Sequence, residues 1–451
     1  IVASSGKIES LDPARANTLK AIQLISSLGD TLYELNSNGE LIPELASGMP
    51  VISKDRLQIT INLRKNVFFH DGTAFNSNAM KFTFDRFKRI GTMNYILGNK
   101  IKSIETPSEY SVIINLNKPS SSLNGLLTSV NLTPISPTFY KQYSDKFLNE
   151  KFVGTGKYVL TSFSNEVQSI DPYLNYWGEK PLNKGVNFVG YSNSSSLFGA
   201  LKSKQIDVLL SNSIDDSQRK SLNNLSKNKQ FNEGNSPFTE LSFISLKTSS
   251  YPLSNLNLRL ALAKSLNRKL ISEKVSYGLR KPSRSIIPPI LKKDNQELWP
   301  KYDYLEARRL LQKENYCNGN ILKIPLTYRS NVPADKLIAL TWQEEIKSSL
   351  KDCIDIELNG VESTTVYKNL SLGIYTAVLL DWTGAYSDPE AYLTPLLSCN
   401  EIVDGICKKG ESVYSGSFWG SNKVESLFLE SEKISGIKRL EKLVEIEKIA
   451  A

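Results

Sequence analysis

The sequence predicts a mixed α/β protein with more than one domain. Its 451 residues, 40% of them hydrophobic, suffice for a large core and exceed the length of one ordinary domain. Patterns of period two, typical of strands, alternate with helical patterns along the chain. Interruptions near residues 153 and 237 separate two α/β units, which indicates a bilobal protein with a hinge.

The N-terminal part contains a strand–turn–helix–strand pattern. Apolar and polar residues alternate over 57–63, which predicts a half-buried strand. Asp71-Gly72 supplies a turn, and Ser77 is predicted to cap a helix. Its apolar face consists of Met80, Phe84, Phe87 and Ile90. Another strand is predicted over 111–116.

Between the two interruptions the sequence predicts two strands and a helix. The Gly-Thr-Gly motif at 154–156 indicates a sharp backbone crossing, followed by strands at 158–163 and 167–171. Residues 194–203 are interpreted as a capped helix rather than a flexible serine linker, because Leu197, Ala200 and Leu201 form an apolar face.

The C-terminal part alternates strands and helices more regularly. After a strand at 241–246, an amphipathic helix begins near Ser254, with Leu258, Ala261, Leu262 and Leu266 on its apolar face. A helix is predicted at 304–313, strands at 321–328 and 354–358 enclose a further helix, and a last strand covers 375–382. This order is typical of parallel βαβ units.

The charge and histidine content exclude several classes of protein. The chain has 55 basic and 46 acidic residues, a net charge of +9, but they are evenly interleaved and form no stripe that would bind nucleic acid. It has one histidine, His70, interpreted as a structural part of a turn. Histidine-based catalysis and a multi-histidine metal site are therefore unexpected, and neither a cofactor nor a metal is predicted.

The four cysteines are interpreted as two disulfides, although four cysteines allow three connectivities. Cys317 and Cys353 each precede a strand of one βαβ unit, so their sulfurs can meet at the same sheet edge. Cys399 and Cys407 form the other pair. The alternative is four free thiols in a cytosolic protein. Because the chain starts at Ile1 without a leader, we expect a processed form, with its signal peptide removed.

Several strings along the chain are similar, in order and spacing, to one known family. They are Ser10–Pro13 (SLDP), Leu41–Ser47 (LIPELAS), Ile59–Phe87 with its HDG turn, Gly154–Gly156 with Tyr158, Asn175–Gly178 (NYWG), Leu201–Val208, Leu258–Ile271 and Trp382–Leu393 (WTGAYSDPEAYL). Together they resemble the extracytoplasmic solute-binding proteins of ABC importers, family 5, which includes peptide and nickel binders.

The resemblance implies a type II-like periplasmic-binding-protein fold with an additional domain. Residues 1–32 and 153–236 would form lobe one, 33–152 the extra domain, and 237–451 the second ligand-binding lobe. A C-terminal strand that returns to lobe one in the family is not found before Ala451, so we expect that segment to be missing here.

The resemblance also implies a function. The protein would be a monomeric receptor, not an enzyme, that captures a small polar solute between its lobes and delivers it to an ABC permease. A peptide or peptide-like ligand is expected, with an oligosaccharide or a metal chelate as the alternative. The expected location is the periplasm or the cell exterior, free or tethered to the membrane.

The ligand is expected at the loop that follows the last strand. The resemblance assigns it to Trp382, Thr383, Gly384, Ala385, Tyr386 and Asp388. In peptide-binding relatives an aspartate at the position of Ala385 pairs with the ligand's ammonium, and alanine cannot do so. Either Asp381 or Asp388 takes its place, or the ligand is a blocked peptide, a sugar or another polar molecule.

Other candidates have competing structural interpretations. Trp382 and Tyr386 are predicted to form a pocket wall, or else ordinary core. Arg329 could meet a ligand carboxylate, or be a surface charge. Leu11 is a candidate for backbone contacts, and Tyr95 is a weaker candidate in the extra domain.

Two functions other than import are also compatible with the sequence. A secreted carboxylate-based glycosidase would use Glu362 and Asp388 as its acid and base. A signalling or chaperone-like module on the same fold is the other alternative.

Overall fold

The computed structural model describes two units, each with its own hydrophobic core: residues 1–215 and 216–451. The residues described are 1–5, 7–16, 18–36, 40–91, 100–143, 146–210, 214–235, 239–292, 297–384 and 386–451. The predicted interruption at 236–237 lies outside them. Within these ranges, no helix is both long and apolar enough to cross a membrane.

Strands and helices alternate through both units. The strands are β1 (Val2–Ser5), β2 (Tyr33–Leu35), β3 (Leu41–Pro43), β4 (Val51–Ile52), β5 (Gln58–Asn62), β6 (Ile101–Ser108), β7 (Ser111–Leu116), β8 (Tyr158–Phe163), β9 (Val167–Pro172), β10 (Val186–Tyr191), β11 (Val208–Leu209), β12 (Glu240–Leu246), β13 (Leu322–Arg329), β14 (Ile354–Val361), β15 (Ala377–Thr383), β16 (Glu401–Val403) and β17 (Ile406–Lys409).

The helices are α1 (Leu19–Leu28), α2 (Ser77–Ile90), α3 (Leu123–Leu126), α4 (Pro137–Tyr140), α5 (Ser194–Lys202), α6 (Asp216–Lys227), α7 (Leu256–Ser265), α8 (Arg268–Ser276), α9 (Pro289–Lys292), α10 (Tyr304–Lys313), α11 (Pro333–Ser349), α12 (Ser363–Asn369), α13 (Glu390–Leu397), α14 (Glu411–Tyr414), α15 (Asn422–Ser431) and α16 (Gly436–Ala450). Short 3₁₀ turns cover Val130–Leu132, Lys141–Tyr143 and Leu370–Leu372.

The first sheet of unit 1–215 joins the start of the chain to a segment far along it. Its order is β11-β1-β10-β9-β8, with β1 parallel to both β10 and β11. The apolar side chains of α1 pack with Leu11, Ile170 and Phe188 in the core of this unit. Residues 1–5 and 158–209 therefore share one sheet.

The second sheet, β4-β5-β7-β6, is antiparallel and confirms the predicted strands at 57–63 and 111–116. Ile59 and Ile61 are buried while Gln58 and Asn62 face solvent. The cap of α2 lies one residue before the predicted Ser77. Asn76, in extended backbone, caps the helix by accepting the N–H of Ala79, and Asn193 caps α5 in the same way.

The predicted backbone crossing at 154–156 packs against the end of α1. An added Cβ at Gly156 would lie 2.4 Å from the backbone of Leu28 and Gly29, and one at Gly154 would lie 2.7 Å from the carbonyl oxygen of Leu28. Only glycine permits so close an approach of two backbones.

The main sheet of unit 216–451 has the order β12-β15-β13-β14. β13 is parallel to β14 and β15, whereas β12 is antiparallel to β15, which confirms the predicted βαβ unit with α11 as its crossover. One correction concerns Leu266. The helix predicted to include it ends at Ser265, because Asn267 accepts the N–H of Leu270 and caps a new helix.

Both predicted disulfides are present. Cys317 pairs with Cys353 at the start of the parallel strands β13 and β14, as the βαβ argument predicts. Cys399 pairs with Cys407 across the hairpin β16-β17.

Candidate functional site

Three parallel strands of unit 216–451 end at one sheet edge. β13 ends at Arg329, which is paired with Val361, the last residue of β14, and β15 ends at Thr383. In open α/β sheets, ligands bind outside the carboxyl ends of the strands. This edge is therefore the place where polar side chains can serve binding, and we call it the carboxyl edge.

Arg329 is the buried centre of a hydrogen-bond network at the carboxyl edge. Its guanidinium is only 4% exposed and donates to both carboxylate oxygens of Asp335, at 2.7 and 3.1 Å. It also donates to the hydroxyl of Tyr367 and to Oδ1 of Asp381, each at 2.7 Å. Burial alone would lower the pKa of Arg329, but the bonds to Asp335 and Asp381 outweigh it and raise that pKa.

The network leaves Arg329 little capacity for a ligand. A guanidinium has five N–H donors, and four hydrogen bonds from this one end on Asp335, Tyr367 and Asp381. Among the described residues, one N–H has no partner. A bidentate contact with a ligand carboxylate would thus break an internal bond, and the buried Arg329 is not the surface charge of the alternative interpretation either. Arg329 is better placed to orient its neighbours.

Asp381 is the carboxylate of this network that reaches solvent, beside the exposed Tyr367. Its side chain is 35% exposed, and its Oδ1 accepts from Arg329 and, at 3.2 Å, from the hydroxyl of Tyr367. In the part of the chain that the structure describes, its Oδ2 accepts no hydrogen bond. One guanidinium thus serves two carboxyl groups, those of Asp335 and Asp381.

The predicted ligand loop, residues 382–388, begins at the end of β15. Trp382 and Tyr386 are partly buried and pack against a core cluster that includes Leu393 and Leu396. The indole N–H of Trp382 donates to the carbonyl of Ala391 at 2.8 Å. Thr383 is exposed, and Gly384 has no room for a side chain, since a Cβ would lie 2.6 Å from the ring of Tyr392. Ala385 lies outside the described residues.

Asp388, by contrast, is fully engaged inside the unit. Arg439 of α16 donates to its two oxygens at 2.8 and 2.9 Å, and Oδ1 also accepts the N–H of Glu390. Arg439 donates a further bond to Glu390 at 2.9 Å. Asp388 therefore organises the turn before α13.

The remaining predicted residues lie in the other unit. Leu11 is completely buried in the core of unit 1–215, and its backbone N–H donates to the carbonyl of Asn149 at 2.8 Å. Tyr95 lies outside the described residues. His70 has Nε2 3.0 Å from the carbonyl oxygen of Gly156, and burial lowers its pKa. These contacts give His70 a place in the structure of its turn.

The two carboxylates suggested for a glycosidase are both occupied. Glu362 caps α12 by accepting the N–H groups of Thr364 and Thr365, while Asp388 binds Arg439. No described residues bring three or more His, Cys, Asp or Glu side chains together as metal ligands.

Sequence reasoning missed Tyr367, Asp335 and Arg439. Tyr367 and Asp335 lie in the helices that follow β14 and β13, so position after a parallel strand is a signal that could have found them. Arg439 is remote in sequence from the loop it contacts, and no local pattern points to it.

The chain matches known solute-binding proteins along most of its length. Residues 40–404 match the family described as bacterial extracellular solute-binding proteins, family 5 middle. The chain is 26% identical, over 439 residues, to the glutathione-binding protein GsiB of Escherichia coli O6:K15:H31, covering 96% of this chain and 83% of that protein.

Solved structures confirm the predicted fold. HbpA2 from Haemophilus parasuis has a TM-score of 0.83 at 22% identity, covering 99% of this chain and 91% of that one. The periplasmic binding protein DppA from Helicobacter pylori, in complex with the peptide STSA, has a TM-score of 0.77 at 23% identity, covering 99% and 89%.

Proposed function

The chain belongs to the bacterial extracellular solute-binding proteins of family 5, and we propose from this membership that it is the receptor of an ABC importer. It captures a small peptide or peptide-like solute outside the cytoplasmic membrane and delivers it to the permease as a monomer, without turning the ligand over. The family match over residues 40–404 carries this proposal. The relatives that bind glutathione and the peptide STSA favour a peptide-like ligand.

The domain roles belong to the same proposal. Residues 1–32 and 153–236 form one lobe, 33–152 the additional domain, and 237–451 the lobe with the ligand loop. The pairing of β1 with β10 and β11 supports the first assignment, because it puts the start of the chain and the segment after residue 153 in one sheet.

Asp381 is proposed as the anchor for the ligand's ammonium group. Ala385 cannot supply a carboxylate, and both oxygens of Asp388 are bound by the buried Arg439. Asp381 has an oxygen free of hydrogen bonds to the described residues and lies on the carboxyl edge. A hydrogen bond from an ammonium to a carboxylate contributes roughly 1.5–3 kcal/mol, enough to select ligands with a free amino group.

The test is to identify the ligand and then measure its binding. The purified protein is denatured, and the released small molecules are identified by mass spectrometry. Glutathione and STSA are titrated into ligand-free protein in a calorimeter, and the mixtures are analysed for products. We expect a peptide-like ligand, saturable binding and no product. Recovery of only an oligosaccharide or a metal chelate contradicts the ligand class, and product formation contradicts the role of receptor.

A further inference from the structure

The helix α16, which is remote in sequence, bonds directly to the turn at Asp388 and Glu390. We infer that Arg439 of this helix is a positioning residue, which holds the ligand loop in its binding conformation without contacting the ligand. The inference rests on the proposed function, because that function assigns the loop 382–388 to ligand binding. Arg439 is 7% exposed, and its two terminal nitrogens bond to Asp388 and Glu390.

Arg439 acts on the loop through Asp388. The carboxylate of Asp388 accepts the N–H of Glu390 at 2.8 Å, and its own backbone N–H donates to the carbonyl of Tyr386 at 2.9 Å. The position of Tyr386 therefore depends on that of Asp388. On the other side of the turn, the Trp382 indole is fixed to Ala391, one residue after Glu390. The same short turn thus sets the position of both predicted aromatic ligand contacts.

Charge makes this support depend on Arg439. Asp388 and Glu390 are 12% and 7% exposed, and the guanidinium is 2.8 and 2.9 Å from their oxygens. Without it, two carboxylates would share a poorly hydrated site, where like charges repel each other strongly. Such a site relaxes by taking up a proton or by moving the turn into water. In either case the turn loses the bonds from Arg439 that hold it, and movement into water releases the loop.

The helix α16 also offers a matched control. Glu447, eight residues after Arg439, is completely buried and bonds to Ser285, the N–H of Ile286 and Lys292. No bond of Glu447 reaches the described residues of the loop, 382–384 and 386–388. Glu447→Gln therefore disturbs a buried ion pair of the same helix without touching the turn.

The experiment compares Arg439→Lys, Arg439→Met and Glu447→Gln with the wild type. Affinity is measured by calorimetry with glutathione or STSA, and hydrogen exchange is followed at the amides of 386–391. Because a binding site loosened by its supporting residues loses affinity steeply, we expect about 10-fold weaker binding for Arg439→Met and a smaller loss for Arg439→Lys. Exchange at 386–391 rises in both, while Glu447→Gln leaves affinity and this exchange unchanged.

The outcomes separate this inference from the proposed function. If the wild type binds neither probe, the ligand class is in error, and the exchange measurement still tests the positioning role. If Arg439→Met does not fold, Arg439→Lys, which keeps the charge but loses the paired contacts, takes its place. Unchanged exchange at 386–391 in a folded Arg439 variant overturns the inference. So does a loss of affinity that Glu447→Gln reproduces.

Discussion

Two arginine–aspartate networks, one in each unit, both contain a buried arginine but differ in the solvent exposure of the aspartate. Arg86 and Asp12 in unit 1–215 are 2% and 0% exposed, and the two side chains are joined by bonds of 2.8 and 2.6 Å. Backbone N–H groups of Ala14 and Leu148 bond to the oxygens of Asp12, so the network is closed. The network of Arg329 ends on Asp381, whose side chain is 35% exposed.

The difference shows that residue type alone does not identify a binding group. Asp12 belongs to the SLDP string that resembles the family. Both of its carboxylate oxygens nevertheless accept hydrogen bonds from Arg86, which connect the N-terminal loop to α2. Asp381 has the same chemistry and the same kind of partner, but one of its oxygens meets no donor among the described residues. The closed network serves stability, and the open one is available for binding.

The largest effect is expected from Arg86→Met. This change removes the partner of a carboxylate that is completely buried, and breaking such a pair costs about 3–5 kcal/mol. Denaturant unfolding should show this loss in the free energy of unfolding. If the loss is below about 1 kcal/mol, as for an exposed pair, Asp12 is not held as the structure indicates and the contrast between the networks fails.

Asp381→Asn should separate binding from stability. Because the carboxylate is partly exposed, we expect a loss of stability below about 1 kcal/mol, but binding of a ligand with a free amino group should weaken about 10- to 100-fold. Calorimetry with glutathione or STSA measures the change.

The N-acetylated form of the same ligand is the control. It lacks the ammonium, so its weaker affinity should be the same for the wild type and for Asp381→Asn. Equal losses for the free and the acetylated ligand would show that Asp381 does not meet the amino group.

A smaller effect is expected from Tyr367→Phe. Its hydroxyl accepts from Arg329 and donates to Asp381, so removing it deprives the open network of two hydrogen bonds, each worth about 0.5–1.5 kcal/mol. Affinity should fall by up to about 10-fold, because Asp381 loses one of its two orienting donors. Tyr173→Phe removes a hydroxyl bonded to Phe69 in the other unit and should leave affinity unchanged.

The features that the sequence could predict are those set by local patterns. Alternation at 57–63 and the order of strands and helices after residue 304 are local patterns, and the elements they predict are present. The Cys317–Cys353 pairing follows from the same βαβ order. Two helix ends were less exact. The cap of α2 is Asn76 rather than Ser77, since a cap depends on a single side-chain bond, and the helix predicted to include Leu266 ends at Ser265.

The site could be predicted only in outline. The loop at 382–388 is assigned to the ligand by resemblance and stays a prediction, and the hydrogen bonds of its neighbours depend on tertiary contacts. Nothing near Arg329 in the sequence indicates that Tyr367 and Asp381 take up its donors. Likewise, Asp381 and Asp388 are both aspartates that bond to an arginine, and only tertiary contacts show that Arg439 bonds to both oxygens of Asp388 while Arg329 bonds to one oxygen of Asp381.

The smallest effect concerns a third acidic group, Glu44 in unit 1–215, which forms no salt bridge with the described residues and tests whether such a carboxylate behaves differently. Burial first, and then the nearby Asp30, raise the pKa of Glu44 from 4.5 to about 7. The folded state therefore holds a proton on Glu44 that the unfolded chain has lost above pH 4.5, so this contribution to stability is present at low pH and disappears as the pH rises through 7.

Glu44→Gln keeps a neutral side chain at every pH and should flatten the fall in unfolding midpoint between pH 4.5 and 7. Glu105→Gln, at an exposed carboxylate of β6, should leave the slope as it is. Parallel curves for the wild type and Glu44→Gln would mean that Glu44 is charged in the folded protein, and that the contrast between carboxylates with and without an arginine partner does not extend to this half-buried position.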